Sequence, residues 1–317
     1  MKSASQLVPG IDVVAEYGVD PTGRTDETER INRLIREAAP GSALSFPEGT
    51  FRVSGEIVVA RGDITVAGSG PGTVFVADAA AETGIRIRGS DAGEIERVVL
   101  SQLTIEGQGL LEFGILLDGR TSDSWITGTN VRNCWHAGIR LWGGADQGRT
   151  VHDIRLVNNR IGVIRGSVPG QGIELMACRG ITVTGSTIQT CTAAAIAVYG
   201  CQDSEVSRNY ASVCGLGISV QVDGSGGLPS QPGAGDDWRF SRNLDIRDNE
   251  LQHCGRSFDV REGTDGVSVT GNRVTLDINA ASALKLYKAE SGAFEGWPIK
   301  NFVFESNTIT VEHVAPH

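Results

Sequence analysis

The chain is 317 residues long and acidic, with a net charge of −10, a pI of about 5.1, and 42 glycines against 2 methionines. An acidic balance excludes the basic face that nucleic-acid binding needs, and no apolar run approaches the roughly 18 residues of a membrane-spanning helix. Abundant glycine among β-branched residues predicts short strands joined by tight turns.

The first residues, MKSASQLVPGIDVV, hold one lysine and no apolar signal-peptide core. The sequence therefore points to the cytoplasm, or to secretion if a leader was removed. Residues 26–38, DETERINRLIREA, place Ile31, Leu34, Ile35 and Ala38 on one stripe at helical spacing, with Thr25 or Asp26 as N-cap. This predicts a helix covering the open end of the strands that come after it, since an exposed strand edge needs a cover.

Beyond this helix the chain is built on a repeat. A strand of the form Gly-Ile-x-Leu-x begins at Gly84, Gly114, Gly138, Gly172, Ala195 and Gly217, with degenerate copies at Ser257 and Ala283. Eight coils are counted in this way. Each copy is followed by a second alternating strand and a turn, as in ITVTGSTI at 181, VSVTGNRV at 267 and FVFESNTI at 302. The turn carries Asn130, Asn159, Asn209, Asn249, Asn272 and Asn307. Asparagine accepts left-handed backbone angles and bonds locally, and stacked asparagines would bond one another along the axis. Short strands, a repeat in the low twenties and one Asn turn per coil predict an all-β parallel β-helix. Cys134, Cys191, Cys214 and Cys254 share one turn position, and Cys178 and Cys201 another. They read as small apolar fillers of stacked corners rather than redox centres. With no CxxC pair or zinc-like Cys/His spacing, neither a metal nor a cofactor is expected.

A resemblance covers essentially the whole chain, as an entry motif followed by the coils. YGVDPTG at 17–23, Thr25-Asp26, the helix, SFPEGTFRVSGEI at 45–57 and ITVAGSGPGTVF at 64–75 resemble the start of the pectate-lyase-like right-handed parallel β-helix superfamily. The resemblance implies one domain over residues 1–317, with an N-terminal strand and capping α-helix in 1–60 and coils in 61–310. It also implies a protein related to polysaccharide lyases, polygalacturonase-type hydrolases, uronan epimerases, fructan-cyclising transferases or phage tailspikes. The reaction-specific signatures do not accompany it. The Asp-Pro-His-Asp motif of mannuronan epimerases is missing, and Gly235-Asp236-Asp237, which resembles an Asp-Asp element of polygalacturonases, sits in an insertion.

Alternation gives two outward columns. Two places after the strand glycine stand Arg86, Leu116, Arg140, Glu174, Ala197, Ser219, Asp259 and Lys285; four places after it stand Arg88, Asp118, Trp142, Met176, Tyr199, Gln221, Arg261 and Tyr287. Exposed aromatics among converging charges suit a saccharide or a small polyketide-like ligand. Glu174, the carboxylate near the middle, is the candidate general acid or base, with Tyr199 and Arg140 as catalytic partners. Pairing of Glu174 with Arg140 is an equally good structural reading. Trp142, Met176, Asp118, Gln221, Asp259, Arg261, Lys285 and Tyr287 are the candidate binding residues. Insertions leave one corner at 222–243 and 288–300, and the first brings Asp236, Asp237 and Trp238 to the rim, as a lid or wall. His136 and His152 read as turn residues.

Three functions compete. The first is a carbohydrate-active lyase, epimerase or glycosidase working in a groove on this face. The second is an intracellular tailoring enzyme, an isomerase or cyclase of a small hydrophobic intermediate. The third is a non-catalytic trimeric carbohydrate-binding or tailspike-like module. The expected partner is a saccharide or small molecule, without nucleic acid or membrane, and homo-oligomerisation stays open.

Overall fold

The computed structural model describes residues 10–90, 93–144, 150–166, 170–222, 240–277, 282–287 and 298–312. Within them the chain winds through three parallel sheets of 13, 11 and 9 strands. Each turn of the coil contributes a short strand to each sheet. The motif read as one strand and a turn is two strands in two sheets. ITVTGSTI, for example, supplies Thr182–Thr184 to the first sheet and the start of Thr187–Cys191 to the second. The corner between them is one left-handed residue, Gly185, with φ of 65°.

All eight Gly-Ile-type strands lie side by side in the third sheet, and a ninth strand, Ile57–Val59, precedes them. Their registers align the repeat letter for letter, so that Ile139 pairs with Ile173, Ile173 with Ile196 and Ile196 with Ile218. The inward side chains form one continuous apolar column from Val13 to Leu276, all of it buried. The strand glycines mark where the chain presses on its neighbours. A Cβ on Gly172 would run into Ile188 Cγ2 and the Ala195 carbonyl.

The asparagine corner differs in one respect from the sequence expectation. The left-handed residue is the one before the asparagine: Asn158, Arg208, Asp248 and Gly271 have positive φ. The asparagine itself turns inward and is buried. Asn209 Nδ2 donates to Asn249 Oδ1 at 3.0 Å and to the Val183 carbonyl at 2.9 Å, and Asn249 and Asn272 repeat the pattern onto Asn272 and Asn307. Asn130 is not on this ladder. It lies on the strand Asn130–Arg132, and Thr129 takes the ladder position, donating from its backbone N–H to Asn159 Oδ1 at 3.0 Å.

Helix α1 spans Val13–Tyr17, with Asp12 as its N-cap and Gly18 closing it at φ 65°. Helix α2 spans Thr28–Glu37 and buries Ile31, Leu34 and Ile35. It begins later than the sequence suggested, with Glu27 at the N-cap position, while Asp26 reaches both the Thr28 N–H and the Ser54 N–H. Asn32 meets the free edge of Ile57–Val59, donating to the Glu56 carbonyl at 2.8 Å and accepting from the Val58 N–H at 2.7 Å. One side-chain amide thus supplies the pair of hydrogen bonds that a preceding strand would make. The YGVDPTG motif is a structural knot: Asp20 accepts from the backbone N–H and hydroxyl of both Thr22 and Thr25. Those bonds hold its carboxyl well below the usual range, those from Thr22 most strongly.

Candidate functional site

The outward face of the third sheet carries both columns in the expected register. Arg140 pairs with Glu174, Glu174 with Ala197, Ala197 with Ser219 and Ser219 with Asp259. Beside them run Trp142, Met176, Tyr199 and Gln221. A third outward column stands before the strand glycine and includes Phe113, Ala137, Gln171, Leu216 and Arg256. Simple alternation assigns these residues to the interior, but the ladder skips the next position (Gly114, Gly138, Gly172, Gly217 and Ser257), and they stand on the outer face. Phe113, Leu116 and Ala137 form an apolar cluster separate from the core, with Trp142 packed on it.

Glu174 is buried, and its Oε2 lies 3.2 Å from Arg140 Nε and 3.6 Å from His136 Nε2. The Arg140 guanidinium lies over two rings, 4.8 Å from the Phe113 centroid and 4.7 Å from that of Trp142, and its Nη2 reaches Met176 Sδ at 2.9 Å. His136, expected as a plain turn residue, belongs to this face. Its Nδ1 lies 3.2 Å from Glu112 Oε1, and its ring packs 4.9 Å from Phe113. The result is a string of Glu112, His136, Glu174 and Arg140, with a carboxylate at each imidazole nitrogen. His136 keeps 18% of its side chain exposed and Arg140 11%, so the string borders solvent.

One coil beyond Glu174, Tyr199 accepts a hydrogen bond from Gln171 Nε2 at 2.8 Å. Burial pushes its phenol up to about 12; the Glu174 carboxylate adds to this, and the Gln171 bond opposes it. Tyr199 is therefore a neutral hydroxyl at any ordinary pH. Its own hydrogen has no acceptor among the described residues.

A second polar cluster lies at the strands Arg256–Val260 and Ser282–Leu286. Asp259 is wholly buried, with Arg261 Nη2 at 3.1 Å and Arg256 Nη1 at 3.6 Å from its Oδ2. Arg256 Nη1 also donates to the Tyr287 hydroxyl at 2.6 Å.

Asp118 stands apart from both clusters. It is wholly buried, and Arg86 covers it through Nη2 at 2.7 Å and Nε at 3.3 Å, so its carboxylate is not offered to a ligand. Asp236, Asp237 and Trp238, and almost all of both insertion loops, lie outside the described residues. His152 sits on the first sheet, 2.8 Å from Glu94, and borders a separate open concavity of about 1100 Å³ with Thr150, Asp203, Arg242 and Asn243. Among the described residues, no group of three or more His, Cys, Asp or Glu side chains is placed to hold a metal ion.

Buried polar atoms without a hydrogen-bonding partner in the protein are rare in folded chains and mark places that call for a reason. Among the described residues there are nine, and five fall on this face: Arg140 Nε, Gln171 Oε1, Glu174 Oε2, Asp259 Oδ1 and Arg261 Nε. Arg140 Nε and Glu174 Oε2 oppose each other as charges without the alignment of a hydrogen bond.

The family model for the right-handed beta helix region matches residues 114–309. The chain belongs to the right-handed β-helix family. The superfamily resemblance read from the entry motif and the coils thus holds. The β-helix superposes on the tailspike of E. coli bacteriophage HK620 in complex with a pentasaccharide (TM-score 0.71, 15% identity, 92% of this chain and 55% of that one). It also superposes on the DFA-IIIase of Arthrobacter chlorophenolicus in complex with GF2 (0.62, 15%, 96% and 87%) and on the polygalacturonase of Erwinia carotovora (0.57, 12%, 99% and 99%). At such identities the likeness is one of fold. The chain spans 55–61% of the viral chains it matches. No curated protein matches the sequence. No helix among the described residues is long and apolar enough to cross a membrane.

Proposed function

We propose that the outward face of the third sheet binds a saccharide, and that the chain is a carbohydrate-active enzyme of the lyase or epimerase type. The observation that carries this reading is the string of Glu112, His136, Glu174 and Arg140 beside the neutral Tyr199. Proton abstraction from a sugar carbon next to a carboxylate needs a base, a cation for the developing charge and a proton donor. His136 takes the proton, oriented by Glu112, and the positive charge it gains meets a carboxylate at each ring nitrogen. Arg140, held over two rings, faces the charge that builds on the substrate. Tyr199 returns a proton, to the leaving oxygen in elimination or to the opposite face of the same carbon in epimerisation.

Hydrolysis by a carboxylate pair is less well supported. Such pairs lie about 5–9.5 Å apart. Asp259 is three coils from Glu174, ~14 Å at the ordinary strand spacing, and Asp118 is sealed under Arg86. Glu112 is near enough to Glu174, but both face the His136 ring that stands between them.

A second reading rests on the apolar cluster of Phe113, Leu116, Ala137 and Trp142, which also suits a small hydrophobic intermediate in a tailoring reaction. Turnover distinguishes the two, and also the non-catalytic module. Wild type is assayed on uronate-containing polysaccharides for unsaturated ends by ultraviolet absorbance and for epimers by NMR. Glu174→Gln, His136→Gln and Tyr199→Phe are each expected to lower kcat by about 10²–10⁴-fold. Wild-type activity on none of these substrates, or unchanged kcat in all three variants, overturns the reading.

A further inference from the structure

Three cations of the face converge on a single ring. Arg256 Cζ, Arg261 Cζ and Lys285 Nζ lie 5.6, 4.9 and 4.2 Å from the Tyr287 centroid. They come from two adjacent coils, in register through Arg256 with Ser282 and Asp259 with Lys285. All three are thus within about one Debye length of one another at 0.1 M salt, so they repel with little screening. Asp259 balances one of them. Its Oδ2 serves both arginines while Oδ1, wholly buried, has no hydrogen-bond partner in the protein. Lys285 has no carboxylate partner among the described residues, and Arg261 Nε has no acceptor. Among the described residues two positive charges are thus left in excess, on a chain whose net charge is −10. Arg256 and Arg261 keep 30% and 37% of their side chains exposed, so the excess is presented to solvent.

Between this cluster and Glu174 the first column narrows to Ala197 and Ser219, flanked by Tyr199 and Gln221. Small side chains, both buried, fill the interval between the two charged groups along the axis. Its length is three strand spacings, ~14 Å. That exceeds a disaccharide and suits a trisaccharide or tetrasaccharide laid along the face.

We infer that Arg256, Arg261 and Lys285 form an anion subsite that holds an oxyanion of an acidic oligosaccharide several sugar units from the unit at His136 and Glu174. The inference rests on the proposed function and deepens it by fixing substrate charge, length and direction along the helix. Carboxylate and sulfate ester present the same oxyanion chemistry to two guanidinium groups and an ammonium.

The test is direct binding to the Glu174→Gln protein by calorimetry, which does not depend on turnover and so stands apart from the acid–base assignment. The probes are a neutral, a uronate-bearing and a sulfated tetrasaccharide, and a uronate disaccharide. The acidic tetrasaccharides are expected to bind at least tenfold more tightly than the neutral one, with affinity falling as salt rises. Whichever of the two binds more tightly identifies the oxyanion. The uronate disaccharide is expected to lose most of this advantage. Arg261→Gln strips Asp259 of a partner and puts folding at risk, so Lys285→Gln, which breaks no ion pair among the described residues, is measured beside it. Each is expected to weaken the acidic tetrasaccharides about tenfold and to leave the neutral one unchanged. Equal affinity for neutral and acidic probes, or acidic binding unaltered in Lys285→Gln, overturns the inference.

Discussion

Tyr199 stands where the neighbouring coils carry Met176 and Gln221, so nothing in the stacking requires a phenol there. Its hydroxyl is tied to Gln171 and its acidity is suppressed by burial first, then by the Glu174 charge. A phenol that ionises near 12 in the folded chain and near 10 when unfolded favours the folded state below pH 10, and that contribution is lost as pH rises towards 12. Ultraviolet titration should show a tyrosine phase about two units late in wild type, and Tyr199→Phe should remove that phase. The same variant should lose up to about 2–3 kcal/mol less stability across that window. A wild-type titration with every tyrosine near 10 would contradict the burial of this site. Glu174 was legible in the sequence for the same reason as Tyr199: it breaks the repeat at an outward position. Phe113 and Gln171 were not, because they stand one place before the strand glycine, where alternation counts inward. Glu112 and His136 lie two places before it, ahead of the motif that was read, and so passed as turn residues. A histidine whose neighbouring coils put Glu112 and Gln171 beside it was the available signal, through the backbone bonds His136 N–H to Glu112 and Gln171 N–H to His136.

The coil is the unit in which the sequence speaks most clearly. Period-2 strands, glycines at close approach and one asparagine per turn carried the parallel β-helix and the register of the third sheet. Corners were harder, since a one-residue left-handed bend leaves no gap in the pattern, and two strands read as one. The asparagine shows why. Its side chain turns inward to bond the next coil, and the residue before it makes the bend. Asn209→Ala removes donors and an acceptor from a buried ladder, leaving the Ser186 N–H, which donates to Asn209 Oδ1, and the Val183 carbonyl unmatched. The expected loss is about 1–3 kcal/mol in a urea melt. A change below about 0.5 kcal/mol would show that the ladder is incidental to coil stacking. Asn130→Ala, off the ladder, serves as the control.

At the scale of the whole molecule, the two ends and the loops are less legible than the middle. Helix α2 meets the edge of Ile57–Val59 through Asn32, a residue on no apolar stripe and so silent in a hydrophobic pattern. The fold itself distributes strands evenly, and only side-chain chemistry distinguishes the third sheet's outward face from the other two. Two charged clusters with small residues between them lie there, together with five of the nine unpartnered buried polar atoms of the described residues. The open concavity around His152 and Asp203 on the first sheet is the competing location. Crystals of the Glu174→Gln protein grown with an acidic tetrasaccharide decide between them. The expected result is sugar along the third sheet, from Arg140 past Ala197 and Ser219 to Arg261, with an oxyanion at Lys285. Sugar seated at His152 and Asp203, with the third sheet's face bare, would contradict the assignment of this face as the saccharide site.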